Sequence, residues 1–187
     1  MTQAVGYMAP ERLDEALKNH TFTMGLAGAH LERLVALAEE VRFREDQIIF
    51  RAGERSPYLY LLISGSVCLE IRTPVYSVCV QALGPGEAFG WSSLLDQHYT
   101  VFQVRARESA VALRLDAEQL SAACRHDPAL GAEMFRRLAE LLGRRLRATE
   151  SRLGEFCGIS GPAKSGRPPE CSSSDLGHRR SAIVRLS

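Results

Sequence analysis

The sequence has little that would attach the protein to a membrane or to nucleic acid. It contains no run of about 18 consecutive apolar residues, and such a run is what a membrane-spanning helix needs. Residues 1–10 lack the basic start and apolar stretch of a signal peptide. The net charge is +1, so the chain as a whole does not attract nucleic acid or acidic lipid. We therefore expect a cytoplasmic protein with no membrane partner.

The sequence is also poor in patterns that carry catalysis or bind metals. Its five cysteines are odd in number and widely spaced, which argues against a disulfide framework and against a zinc site. We expect Cys68 and Cys79 to be small, reduced strand residues. No nucleophile elbow and no paired acid and base are present. These observations predict a protein that is not an enzyme, with no catalytic residues, no metal and no cofactor.

The hydrophobic share of 45% is enough for a core, and its distribution predicts a mainly β fold with flanking helices. Short β-rich segments separated by turn residues run from about 41 to 115, which indicates an antiparallel barrel or sandwich. Helices are predicted over residues 10–18 and 29–39 before the strands. After the strands, Asp116 is predicted to cap a helix that ends near residue 126.

The last predicted helix covers residues 128–156, and its apolar residues follow a three-four spacing. This spacing is typical of a coiled-coil seam, through which a homodimer or a helper protein would pair. Packing of the same residues on their own barrel is the alternative, and the sequence leaves both open. The seam residues are Leu142, Leu146, Thr149, Leu153 and Phe156.

Residues 157–187 are rich in Gly, Pro, Ser and Arg and predict a disordered tail. We divide the chain into an N-terminal helical extension (1–28), a main domain (29–156) and this tail. The basic residues of the tail are scattered, so specific nucleic-acid binding is not expected.

One turn-rich segment, GPGEAFGWSSLL at 84–95, resembles the phosphate-binding cassette of the cyclic-nucleotide-binding family. This family includes catabolite activator proteins, kinase regulatory subunits and nucleotide-gated channels. Residues 49–54 (IFRAGE) and 58–67 (YLYLLISGSV) are similar to its first hairpins. The resemblance covers about 31–153. It implies an antiparallel double-stranded β-helix, the jelly-roll-like β-roll, with N-terminal helices and a long C-terminal helix.

The resemblance implies a site for a small anionic ligand, cyclic AMP or cyclic GMP. Glycines let the backbone approach a phosphate closely, and N–H groups at the start of a short helix point at the anion. Glycines that only form a tight turn are the alternative. The candidate ligand-binding residues are Gly86, Glu87, Phe89, Gly90, Trp91, Ser92, Ser93 and Thr100.

Two positions depart from the family pattern. Trp91 stands where the family has a glutamate that accepts from the ribose hydroxyl, and indole has no acceptor. Thr100 stands where the family has an arginine that pairs with the phosphate. Thr100 is predicted to lie at the start of a strand and to point inward. Arg105 and Arg107 lie an odd number of residues after Thr100, so they belong to the opposite face of this strand and should face solvent.

The sequence therefore predicts a non-catalytic regulatory or sensor module with weak or altered cyclic-nucleotide binding, or with another phosphate-bearing metabolite as its ligand. In catabolite activator proteins a helix-turn-helix domain follows the long helix. Here the Gly-, Pro- and Ser-rich tail follows it, so we expect no DNA-binding domain and no direct DNA binding. The alternative is a ligand-independent interaction or dimerisation scaffold whose pocket is closed by Trp91.

Overall fold

A computed structural model describes residues 4–5, 8–54, 56–73, 75–95, 100 and 102–156. The chain divides into two compact units, Met1–Arg147 and Ala148–Ser187. The expected disordered tail at 157–187 lies outside the described residues.

The elements follow the predicted order of helices, strands and helices. The helices are α1 (Pro10–Asn19), α2 (Gly28–Leu37), α3 (Ala117–His126) and α4 (Pro128–Phe156), and a short 3-10 helix covers Trp91–Leu94. The strands are β1 (Ala4–Val5), β2 (Ala38–Phe43), β3 (Ile48–Phe50), β4 (Tyr58–Ser64), β5 (Val67–Arg72), β6 (Ser77–Leu83), β7 (Ala88–Phe89), β8 (Gln103–Ala106) and β9 (Ala110–Asp116).

The strands form two antiparallel sheets, which confirms the β-roll. The first has five strands in the order β1-β2-β9-β4-β7, and the second has four in the order β3-β8-β5-β6. Several neighbours in each sheet come from distant parts of the chain, as in the pairing of β2 with β9 and of β3 with β8. This arrangement distinguishes the roll from a meander of consecutive hairpins.

The five-stranded sheet is apolar on both faces. Successive residues of a strand point to opposite faces, and in β4 both sets are buried. Tyr60 and Leu62 belong to the core between the two sheets. Leu59 and Leu61 belong to a second core on the outer face of the sheet. The continuous apolar run of β4 is therefore that of a strand covered on both sides.

Helices cover this outer face. Leu17 of α1, Leu34 of α2 and Leu138 of α4 lie in the same cluster as Leu61. Pro128 opens α4, and the preceding Asp127 carboxylate accepts from the Ala129 and Leu130 N–H groups at 3.1 Å each. None of the described helices is both long and apolar enough to cross a membrane.

The second helix ends earlier than predicted. Ala38 and Glu39 belong to β2, where they pair with Leu115 and Arg114 of β9. The segment contains good helix formers, but the sheet pairing overrides local propensity. The prediction of α4 is confirmed, and so is the Asp116 cap of α3, which accepts from the Glu118 and Gln119 N–H groups at 3.0 Å each.

The prediction for Cys68 and Cys79 is wrong, because a disulfide joins them with a Cα–Cα distance of 5.9 Å. The pairing of β5 with β6 shifts register between Leu69 and Glu70, so that Cys79 lies opposite Glu70. This shift brings Cys79 to the face of the sheet that carries Cys68. Regular pairing would have put Cys79 opposite Ile71 on the other face, which is why spacing alone did not indicate the bond.

We expect Leu61→Ala to lower the free energy of unfolding by about 2–5 kcal/mol. Leu61 is fully buried (0% exposed) on the helix-covered face, so truncation leaves a cavity that the sheet and helices cannot close. Val75→Ala, at a site 88% exposed, is the matched control and should change stability by about 0.5 kcal/mol or less. Denaturant titration of both variants measures the difference, and equal stabilities would contradict the two-sided core.

Candidate functional site

The turn before β7 is closed by its own side chain and by β4. The Gly84 N–H donates to the Glu87 carboxylate at 2.8 Å. The Gly86 N–H donates to the Leu62 carbonyl at 2.8 Å, and Gly86 has a φ of 84°. A Cβ at Gly86 would lie 2.8 Å from Thr21 Oγ1, so the α1–α2 connection presses on this turn. The Glu87 carboxylate is thus engaged in holding the cassette's own backbone.

Gly90 is required where the cassette leaves β7. Its φ is 78°, a conformation that L side chains rarely adopt. A Cβ there would also lie 2.5 Å from the Tyr58 carbonyl oxygen. Gly90 precedes the short 3-10 helix Trp91–Leu94, so a helix starts where the sequence indicated one.

The two serines of this short helix point to different places. Ser92 lines a cavity between the sheets and α4. Ser93 is 5% exposed and lines a separate cleft beside Ser56 and Asp116. The Ser93 N–H donates to the Gly90 carbonyl at 3.1 Å. Its Oγ is buried with no hydrogen-bond partner among the described residues. Ser92 and Ser93, both predicted to bind the ligand, therefore line different cavities.

The cavity that holds Ser92 has a volume of about 140 Å³. The Phe89 ring at its wall stacks on Tyr60 with centroids 4.8 Å apart, and Phe50 lies 6.3 Å from Phe89. Most of the wall is apolar. The lining residues are Phe50, Leu69, Phe89, Gly90, Trp91, Ser92, Thr100, Phe102, Val104 and Arg145.

Trp91 and Thr100, the two positions predicted to depart from the family pattern, both line this cavity. The Trp91 side chain is half-buried and also packs against the helix-side core. Thr100 Oγ1 donates to the Arg51 carbonyl at 3.1 Å, and the Thr100 carbonyl accepts from the Gly53 N–H at 2.8 Å. Thr100 therefore fastens the turn after β3 to the cavity wall.

Arg145 of α4 also lines the cavity, and it is not among the residues predicted from the sequence. Its Nη2 donates to the backbone carbonyl of Ala88, inside the cassette. Burial lowers the pKa of the Arg145 guanidinium, the Glu87 carboxylate opposes this effect, and Arg144 adds to it. Helical spacing could have found it, because Leu138, Leu141 and Arg145 lie three and four residues apart on one face of α4.

The arginines that the sequence placed in solvent differ from each other. Arg107 is exposed. Arg105 is half-buried on the outside of its sheet, where its Nε lies 3.1 Å from a Glu70 carboxylate oxygen. It also donates to the Asp46 carbonyl at 2.9 Å.

In the described part of the chain, no group of three or more His, Cys, Asp or Glu side chains is arranged to hold a metal ion.

Known proteins resemble both the sequence and this architecture. Residues 40–127 match the family model described as "Cyclic nucleotide-binding domain". The cyclic AMP receptor protein of Thermus thermophilus is 32% identical over 139 residues, which cover 73% of this chain and 62% of that protein. A CRP-like cAMP-activated global transcriptional regulator of Mycobacterium tuberculosis is 25% identical over 145 residues. This chain spans 62–63% of the length of these curated relatives.

Two solved structures share the fold. The Thermus thermophilus catabolite activator protein superposes with a TM-score of 0.60 at 30% identity, covering 73% of this chain and 63% of that one. A cyclic nucleotide-binding domain from Methylobacillus flagellatus gives a TM-score of 0.72 at 19% identity, covering 86% and 92%. Residues 40–127 of this chain are therefore similar to a cyclic nucleotide-binding domain, and its architecture is similar to that of the Thermus thermophilus catabolite activator protein.

Proposed function

We propose that this domain is a non-catalytic sensor that binds a cyclic nucleotide, or another phosphate-bearing metabolite, weakly and passes occupancy of the cavity to α4. The observation that carries the proposal is a cassette whose glycine geometry is intact while Trp91 and Thr100 occupy the family's two charged positions. Gly86 and Gly90 both keep a positive φ. The backbone that approaches an anion is thus present without a glutamate and an arginine at these two positions.

The size of the cavity supports weak binding of a whole nucleotide. Pockets for drug-sized ligands measure about 300–1,000 Å³, and this one measures about 140 Å³. A phosphate group fits such a volume, whereas a complete cyclic nucleotide requires Trp91 or α4 to move outward. The free energy that this movement requires makes the overall free energy of binding less favourable and so weakens the affinity.

The position of α4 supports its role in transmitting the signal. Leu138 and Leu141 of α4 lie in the core that covers the five-stranded sheet. One turn later, Arg145 lines the cavity. A ligand that moves the cavity wall therefore also changes the packing of α4.

The exposed end of α4 supports pairing with a second subunit. Leu146 is 60% exposed and Leu153 is 61% exposed, and both belong to the three-four seam. Thr149 is also exposed, and Leu142 is half-buried. Exposed leucines at heptad spacing are typical of a helix that pairs with another helix.

The second candidate is a scaffold that needs no ligand. The small cavity with the Trp91 indole in its wall favours it. In that case α4 would pair with its partner whatever the concentration of nucleotide.

We expect calorimetric titration with cyclic AMP or cyclic GMP to show binding weaker than the micromolar range. A hydrogen bond to a charged group contributes about 1.5–3 kcal/mol, and about 1.4 kcal/mol changes affinity ten-fold. A dissociation constant of about 1 µM or less would contradict the proposal of weak binding. The complete absence of binding to any phosphate-bearing probe would favour the scaffold.

Thr100→Arg combined with Trp91→Glu should tighten cyclic AMP binding about ten- to a hundred-fold. The two changes return the phosphate-pairing cation and the ribose acceptor to the cavity wall. Ser77→Arg adds the same positive charge at an exposed site of β6 and is the control. Calorimetry of the folded variants measures the difference, and an unchanged affinity in the double variant would show that charge loss is not what weakens binding.

Leu146→Glu together with Leu153→Glu should convert a dimer to a monomer, because two buried carboxylates would face the partner helix. Ala148→Glu introduces the same charge at an exposed site on another face of α4 and should leave the assembly unchanged. Sedimentation velocity of the full chain reads the oligomeric state. A wild-type chain that is monomeric at high concentration would rule out the seam.

A further inference from the structure

The cavity behind the cassette contains a half-buried positive charge, which comes from α4 and not from the position at which the family has its arginine. Among the described residues that line it, Arg145 is the charged one. It belongs to α4, far in sequence from the cassette. The hydroxyl-bearing residues Ser92 and Thr100 line the same cavity, so a cation and two hydroxyl groups share a small, otherwise apolar space.

The structure holds Arg145 against the cassette by two constraints. Leu138 and Leu141, 3–4% exposed, anchor its helix in the core. Arg145 Nη2 donates to the carbonyl of Ala88, a fully buried residue between Glu87 and Phe89. The guanidinium is therefore fixed at the cassette backbone, where the phosphate-binding glycines lie.

The contacts of Arg145 with the cassette include the Ala88 carbonyl and the charge of Glu87. The Ala88 carbonyl is a dipole and carries no net charge. Glu87 attracts the guanidinium, but its carboxylate is bound to the Gly84 N–H at 2.8 Å. Burial has the largest effect on the pKa of Arg145 and lowers it, so the surroundings as a whole destabilise the charged form of the guanidinium. An anion that enters the cavity would stabilise the charged form.

The chemistry of the guanidinium matches one class of anion. Its planar fork of N–H groups suits the oxygens of a phosphate, and such charge-assisted hydrogen bonds are the stronger kind. We infer that Arg145, supplied by α4, binds the phosphate group of the ligand in this cavity and replaces the cation that Thr100 cannot provide. This inference rests on the proposed function and names its ligand chemistry, which a free phosphate and a cyclic phosphodiester share.

A cation on α4 has a regulatory consequence. When phosphate binds Arg145, the ligand contacts the cassette and the last helix at once. Binding therefore holds α4 against the roll directly, and not only through a change in the shape of the apolar wall.

The experiment uses the only tryptophan of the chain, Trp91, whose side chain lines the cavity. The fluorescence of the full chain is titrated with inorganic phosphate, cyclic AMP, cyclic GMP and the uncharged nucleoside adenosine. The variants are Arg145→Gln, Arg145→Lys and the control Arg144→Gln, which removes a neighbouring exposed charge. Circular dichroism confirms folding, and Arg145→Lys keeps the charge if Arg145→Gln does not fold.

We expect Arg145→Gln to weaken binding of the phosphate-bearing probes about ten- to a hundred-fold. Arg145→Lys should fall between Arg145→Gln and wild type, because it keeps the charge and loses the fork. Arg144→Gln should bind like wild type. Any response to adenosine should be the same in all four proteins. A response to inorganic phosphate alone identifies a free phosphate as the ligand, and a larger response to a cyclic nucleotide identifies the phosphodiester.

Two results would overturn the inference, and they differ. If wild type binds a phosphate-bearing probe and both Arg145 variants bind it equally well, Arg145 only ties α4 to Ala88, and the sensor function stands. If wild type shows no response to any phosphate-bearing probe, the proposed function fails and the role of Arg145 fails with it.

Discussion

The structure depends on a sheet that must be covered on both faces. In β4, Leu59 and Leu61 point away from the second sheet, while Tyr60 and Leu62 point toward it, and all four are at most 2% exposed. Burial of apolar area contributes about 25 cal/mol per Å², so the outer face cannot be left to water. The helices that cover it are part of the fold and not an addition to it. Because α4 is one of these covering helices, its side chains reach the edge strand β7 and the cassette that continues from it.

A site for an anion must hold its backbone in place and must compensate the charge of the ligand, and in this structure different groups perform these two tasks. The backbone of the cassette is fixed by local geometry, with a positive φ at Gly86 and Gly90 and no room for a Cβ at Gly90 beside the Tyr58 carbonyl. Charge compensation depends on side chains, which can change without disturbing that backbone. A domain can therefore keep the shape of the site whatever side chains stand at positions 91 and 100, since the geometry of the glycine turn is set at Gly86 and Gly90.

Local signals in the sequence were enough to predict much of the fold. Proline and Asp116 at helix starts, glycine turns and strand alternation gave the order of elements and the bounds of α4, because each signal acts within a few residues. Long-range pairing accounts for the errors. Ala38 joins a strand because Leu115 lies opposite it, and Cys79 reaches Cys68 because a register shift turns it to the same face. Arg145 was missed for the same reason, since a cassette motif does not report a side chain on α4 that lies 57 residues after its partner Ala88.

Whether ligand binding is coupled to the position of α4 depends on which element carries the cation. An arginine on a strand of the roll would neutralise a phosphate without itself linking the ligand to α4. If the cation is Arg145, part of the binding free energy depends on where α4 lies, so affinity and helix position are linked. Linkage is reciprocal: whatever fixes α4 also changes the affinity for the ligand by the same factor, and such couplings are typically about 1–3 kcal/mol. A partner that packs on the exposed face at Leu146 would thus tune the cavity one residue away from Arg145, without touching the ligand.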